Sequence, residues 1–295
     1  METTFVGICN MDLISQCHRL PNLGETIHGI SLGHGFGGKA PNACAQFAFL
    51  SDENHKPNLL TSVGDDSDGK VCINHFKEIG ISTDFVQVVK EIPTGCAICF
   101  VLDGGESAII IHPNPVTIDM VHKMSEKLSH SKYVVTNFEI PVETALEVLK
   151  ISRQGGAKTI LNVSPLPEKK DINLFKDASI VILNEHELAT FGKVEDFFEV
   201  GVEAVVCTKG PEGASVYEKG KPTVSVPSPK VKAVDTTGAG DSFLGAFSYC
   251  LSKGCSYEDA ARIACVCASI SVTALGAQGS YAHRDHKQLK DILPK

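Results

Sequence analysis

Short apolar runs recur along the chain at strand length: TFVGIC (4–9), NLLTSV (58–63), KYVVTN (132–137), KTILNV (158–163), SIVILN (179–184) and AVVCTK (204–209). Between them lie longer stretches whose apolar positions predict helices over 41–50, 67–78, 117–130, 141–154, 240–253 and 256–273. Strand-like runs alternating with helix-like ones predict an α/β fold around a largely parallel sheet. Two regions break the rhythm. Residues 12–37 and 94–112 read as extended and hairpin-like, with TIHGISLG, TGCAICFVL and SAIIIHP at strand period. They predict a small β-sheet standing off the main layers as a lid. The chain has no internal repeat and no low-complexity segment.

Composition narrows the class of partner. Of 295 residues, 43% are hydrophobic and 21% charged, an ordinary globular balance. The formal net charge of −8 argues against nucleic acid or an anionic membrane as the main partner. No apolar run approaches the roughly eighteen residues of a membrane span, and METTFVGICNMD lacks the basic start of a secretory signal. Eleven cysteines, an odd count, fit reduced thiols and a cytoplasmic location. Cys96 and Cys99 form a C-x-x-C in a run whose alternation favours a strand over a metal knuckle, and Cys265 and Cys267 in ARIACVCASISV read as packing thiols.

Candidate chemistry sits at the glycine-rich turns. In AVDTTGAGDSFLG (233–245), the small residues Gly238, Ala239 and Gly240 precede Asp241 and an apolar helix. Such a turn leaves backbone N–H groups bare for an anion. A carboxylate beside it is a repulsive neighbour unless it takes a proton or caps the helix. GHGFGGKAPN (33–42) satisfies G-x-G-x-x-G through Gly33, Gly35 and Gly38. It neither follows the first core strand nor offers the hydroxyl that a Walker A loop needs, since position 40 is Ala. It reads instead as a glycine turn or as a substrate loop carrying Gly38, Lys39 and Asn42. Asn10 and Asp12, two apart after the first strand, share a face that suits a vicinal diol, or they form an Asx turn. In NEHE, Asn184 and Glu187 suit a hydrated Mg2+ or a helix cap. TKGPEG (208–213) is a turn open to close ligand approach.

In this order the pieces resemble the ribokinase, or PfkB, family of carbohydrate kinases over essentially the whole chain. DTTGAGD (235–241) matches the family's C-terminal signature without a break. NMD, GETIHG, GFGGK, VGDDSDG (63–69), TNFE (136–139), NEHE and TKGPEG support it. The resemblance implies one doubly wound α/β domain over 1–295, with helices on both faces of the sheet. Its β-sheet lid often clasps that of a second subunit, so a homodimer is expected. It implies ATP-dependent phosphorylation of ribose at the 5-hydroxyl, with Asp241 as general base and Gly238, Ala239 and Gly240 as anion hole. Asn10, Asp12, Gly38, Lys39, Asn42 and Glu139 would hold the sugar. Asn184, Thr208, Lys209, Gly210, Gly213, Gly240 and Cys265 would surround the nucleotide, with Glu187 on the Mg2+ water network. A monovalent cation, usually K+, would take oxygens of Asp235, Thr237, Ser271, Ala274, Gly276 and Ser280. The alternatives are a sibling kinase acting on fructose, another ketohexose or adenosine, and a catalytically silent sugar- or nucleotide-binding regulator. The sequence departs from the family pattern in three places. GGKGAN reads GGKAPN, with Ala40 and Pro41. The segment after NEHE is short. Cys265 stands where a polar residue is usual.

Overall fold

The computed structural model describes residues 2–103 and 106–294; Gly104 and Gly105, inside the predicted lid stretch 94–112, lie outside the described residues. The chain begins with β1 (Thr3–Val6), β2 (Asn10–Gln16), β3 (Ser31–Gly37), α1 (Lys39–Leu50), β4 (Asn58–Gly64), α2 (Ser67–Glu78) and β5 (Val86–Val89). Next come β6 (Cys96–Val101), β7 (Ser107–His112), α3 (Ile118–Lys123), α4 (Ser125–His130), β8 (Tyr133–Asn137) and α5 (Val142–Gln154). Then follow β9 (Lys158–Asn162), β10 (Ile180–Asn184), α6 (Glu185–Phe191), α7 (Val194–Glu199), β11 (Ala204–Thr208), β12 (Ala214–Glu218) and β13 (Val224–Val226). The chain closes with α8 (Ala239–Ser252) and α9 (Tyr257–Ser271).

Nine strands form one sheet in the order β13-β12-β11-β10-β9-β8-β1-β4-β5, parallel except where β12 and β13 add antiparallel edges. Both faces are covered. Phe5, Leu59, Ile160 and Ile182 pack with α1, α2, α8 and α9 into one core, and Val6, Leu60, Leu161 and Val181 pack with α3 to α7 into the other. The apolar runs of the central strands are continuous because each strand is buried on two sides. From β1 the chain moves one way to β4 and later returns to place β8 on the other flank. The crevice beyond the carboxyl ends of β1 and β8 is therefore a topological switch point, where α/β sheets bind ligands.

A second sheet of four strands, ordered β3-β2-β6-β7, stands apart from the first. The predicted strand TIHGISLG starts later than its pattern suggests: pairing runs from Gln16↔Ser31 to Asn10↔Gly37, so β3 occupies 31–37. Asp12 makes this register specific. A Cβ on Gly37 would lie 2.2 Å from its carboxylate. The predicted helix 117–130 is broken at Met124, and each half is anchored by one buried residue, Val121 and Leu128. The short β5, β12 and β13 and the short helices α6 and α7 carried too few residues to show a period. The compression after NEHE is real, since α6 and α7 have seven and six residues.

Helix α1 crosses α8 at close range. Gly245 has no side chain at the crossing, where a Cβ would meet the Ala43 carbonyl oxygen at 2.2 Å and the Gln46 Cβ at 2.8 Å. Ser242 donates to Gln46 Oε1 at 2.8 Å, and Gln46 Nε2 donates to the Ala282 carbonyl at 2.8 Å. Gly245→Ala gains roughly 1 kcal/mol of helix propensity but overpacks the crossing at a cost of about 1–3 kcal/mol. The expected net result is a lower urea midpoint at unchanged m-value; an unchanged or raised midpoint contradicts the close approach.

Candidate active site

The strand ends and helix starts at the switch point converge. Asn10 and Asp12 lie at the start of β2, on one face and not in an Asx turn. Asn10 is 2% exposed, and its Oδ1 has no hydrogen-bond partner among the described residues. Gly38, at φ 96°, is the N-cap of α1. Its conformation needs a glycine, because a Cβ would lie 2.2 Å from the Ile8 carbonyl oxygen. The first helical residue, Lys39, donates its N–H to Glu139 Oε2 at 2.8 Å. Glu139 follows β8, and its own N–H is held by Asn137 Oδ1 at 2.9 Å.

The two departures in GGKAPN are accommodated. Ala40 is buried against Gly7, where a Cβ would approach the Ala40 Cβ to 2.5 Å. Pro41 falls in the first turn of α1, where an N–H lacks an intrahelical partner anyway.

Asp241 is 6% exposed in the first turn of α8, and the N-cap is Gly238, not Asp241. One of its oxygens accepts from Asn42 Nδ2 at 2.9 Å, tying α8 to α1. Gly238 has φ 73°, and its carbonyl accepts from Tyr281 Oη at 2.9 Å. The Ala239 amide turns back onto the Thr236 carbonyl. Among the described residues, the amides of Gly240 and Asp241 meet no backbone acceptor, and the space over Gly240 is open. The open donors of this turn are therefore the N–H groups of Gly240 and Asp241, while that of Ala239 is occupied. The helix N-terminus adds positive potential.

Electrostatics follow from crowding acids in a partly dry space. Burial pushes the Asp12 carboxyl up to about 6. Burial pushes Glu139 up to about 7, opposed by the Lys39 N–H and ammonium and reinforced by Asp241 and Asp12. Burial also raises Asp241, while Lys39 and the Asn42 amide pull the other way. Lys39 is the cation of this group.

The remaining candidates fall into two neighbouring sets. Asn184 and Glu187 form a capping box: Asn184 Oδ1 accepts the Glu187 N–H at 2.8 Å and Glu187 Oε2 accepts the Asn184 N–H at 2.7 Å. Capping thus uses one oxygen of each side chain, and the other Glu187 oxygen has no hydrogen-bond partner among the described residues. Thr208 ends β11 beside Asn184, and Lys209, Gly210 and Gly213 make the turn that follows. Gly213 is held at φ 102°, where a Cβ would strike the Val226 carbonyl oxygen. Cys265 lies on α9. It is 3% exposed within the core, and burial pushes its thiol up to about 12.

Asp235 accepts from the Thr237 N–H and the Gly276 N–H, both at 2.9 Å, and Ser280 donates to the Gly276 carbonyl at 2.9 Å. The Ser271 hydroxyl turns back to the Ala268 carbonyl within α9. Among the described residues, the carbonyls of Asp235, Thr237 and Ala274 accept no backbone or side-chain donor, which fits them to a cation with oxygen ligands. Asn137, Tyr281, Gln278 and His75 also organise the site, and the last three belong to none of the motifs that marked it. Only Asn137 had a signal, as the second residue of TNFE.

Residues 2–284 match the family described as pfkB family carbohydrate kinase. A mouse ribokinase is 34% identical over 297 residues, an alignment covering 95% of this chain and 91% of that one. A Thermotoga maritima ribokinase structure superposes with a TM-score of 0.87 at 30% identity over 99% of both chains. An Arabidopsis thaliana ribokinase complexed with ribose and ATP does so with a TM-score of 0.86 at 27% identity, over 98% of this chain and 97% of that one. A Salmonella typhi deoxyribokinase is 28% identical over 95% of each chain. Sequence, fold and site geometry agree, and the chain belongs to the pfkB family of carbohydrate kinases.

Proposed function

We propose that this enzyme phosphorylates D-ribose at its 5-hydroxyl with ATP, using Asp241 as general base. The observation that carries the reading is the pairing of a buried, acceptor-ready carboxylate with the open amides of its own helix turn. The free oxygen of Asp241 takes the proton of the attacking hydroxyl as the new O–P bond forms and the bond from the γ-phosphorus to ADP breaks. The amides of Gly238, Gly240 and Asp241 face the charge that develops on the transferring group. Asn10, Asp12, Lys39 and Glu139 meet the ring hydroxyls, with Asn42 orienting Asp241.

Nucleotide contacts fall to Asn184, Thr208, Lys209, Gly210, Gly213 and Gly240. Glu187 would hold Mg2+, which would supply charge neutralisation on the phosphates. The carbonyls of Asp235, Thr237 and Ala274, with Ser271, Gly276 and Ser280 beside them, would hold K+, which would stiffen the turn that carries the open amides. The small sheet exposes Leu32 and Ile110, at 65% and 53%, on one face and Ile109 and Ile111, at 61% and 45%, on the other, apolar positions suited to a second copy of the same sheet. The eleven cysteines stand as free thiols, which suits the cytoplasm.

Asp241→Asn keeps shape and most hydrogen bonding but cannot accept the proton. Loss of a general base lowers kcat by about 10²–10⁴-fold, with ribose and ATP affinity little changed; near-normal turnover in a folded variant overturns the assignment. The second test is the acceptor. A site that pairs substrate hydroxyls rejects an analogue lacking one by up to ~10⁴–10⁵-fold, so kcat/KM for ribose is expected to exceed that for 2-deoxyribose, fructose and adenosine. A preference for 2-deoxyribose moves the enzyme to the deoxyribokinase side of its relatives. A preference for fructose or adenosine keeps the kinase and ends the ribose assignment.

A further inference from the structure

Behind Asn42 lies a chain of polar side chains that the reaction does not touch. Asn42 Oδ1 accepts from Gln278 Nε2 at 3.0 Å, and Gln278 Nε2 also reaches the Phe36 carbonyl at 3.4 Å. Gln278 Oε1 lies 2.7 Å from His75 Nε2. His75, on α2, stacks on the Phe36 ring of β3 at 3.6 Å between centroids and 2° between planes. Gln278 and Asn42 are each 7% exposed, so water does not substitute freely for these partners.

The order of donors along this chain is fixed from one end. A backbone carbonyl only accepts, so the Phe36 carbonyl requires the NH2 end of Gln278 to face it. That end then faces Asn42, which must present its oxygen, leaving its own NH2 for Asp241. The Gln278 oxygen, on the other side, requires a proton on His75 Nε2. We propose that Gln278, braced by His75, is a positioning residue that decides which end of the Asn42 amide meets Asp241. The wrong end would set an amide oxygen against a carboxylate. The right end donates to the ionised base and holds its proton affinity down. The relay also ties the base to β3 of the small sheet, so a shift of that strand is felt at Asp241.

The proposal rests on the reading of Asp241 as general base, but its test need not. The other charged or titratable groups facing Asp241 are Lys39 from α1, Glu139 after β8 and Tyr281 after the 278–280 turn, and the variants leave all three in place. The Asp241 carboxyl is titrated by 13C NMR in the ligand-free enzyme, its signal identified by absence in Asp241→Asn. In Gln278→Leu the pKa of Asp241 is expected to rise by about one unit. The acid limb of kcat should move with it, while KM for ATP stays put. His75→Leu should give a smaller rise and His75→Gln, which keeps a donor toward Gln278, none. A folded Gln278→Leu with an unmoved Asp241 titration overturns the relay. If that variant does not fold, the His75 pair decides: a rise in His75→Leu alone supports the relay, and equal behaviour of the two overturns it. A wild-type enzyme that phosphorylates no sugar refutes the proposed function, and the NMR titration still decides the relay.

Discussion

Asp241 stands in the first turn of α8, with its carboxylate gripped by an amide from α1 and its own N–H facing outward. Everything else in the site is arranged around keeping that turn still. The α1–α8 crossing is close because Gly245 lets it be, and the Ser242–Gln46 hydrogen bond joins the same two helices, one α1 turn on from Asn42. Gly238 takes the left-handed conformation that exposes the amides, and Tyr281 holds its carbonyl. The charge-assisted bond from Asn42 to Asp241 contributes roughly 1.5–3 kcal/mol, enough to offset part of the cost of burying the acid.

The second organising constraint is the set of acids with few partners. Glu139 and Asp241 share the Lys39 cation, and Asp12, Glu139 and Asp241 are all pushed up by burial. Acids raised above their unfolded values bind protons more tightly in the folded state. They therefore cost stability as pH climbs from the unfolded pKa through the folded one. For Glu139 that window runs from the ordinary glutamate value of 4.5 to about 7. Sugar hydroxyls donate, so a bound pentose would supply the partners that the folded chain leaves out. Local instability of this sort is what a binding site trades for affinity.

Much of this was legible in the sequence. The apolar runs placed the six central strands because buried parallel strands need no alternation. The glycine turns placed Asp241, Lys39 and Asn42 because small residues before a helix have few other purposes. Asn184 and Glu187 were readable two ways, and the geometry includes the capping reading in full. What stayed hidden was the cross-chain traffic. Asn42 and Gln278 are 236 residues apart, and no local pattern links His75 on α2 to Phe36 on β3. Short antiparallel edges such as β13 are decided by neighbours and not by their own period. Position alone did not say that the Cys265 side chain would be buried in the core.

The acids give the central claim a direct readout. If sugar hydroxyls complete the hydrogen bonding of Asp12 and Glu139, binding must lower both pKa values and expel protons. Calorimetric titration of ribose in buffers of different ionisation enthalpy reports that number. At about pH 6.5 the account predicts release of up to roughly one proton per site, fading toward zero at about pH 8.5. Binding with no proton release at the lower pH, or with proton uptake, would contradict a sugar site built from these carboxylates.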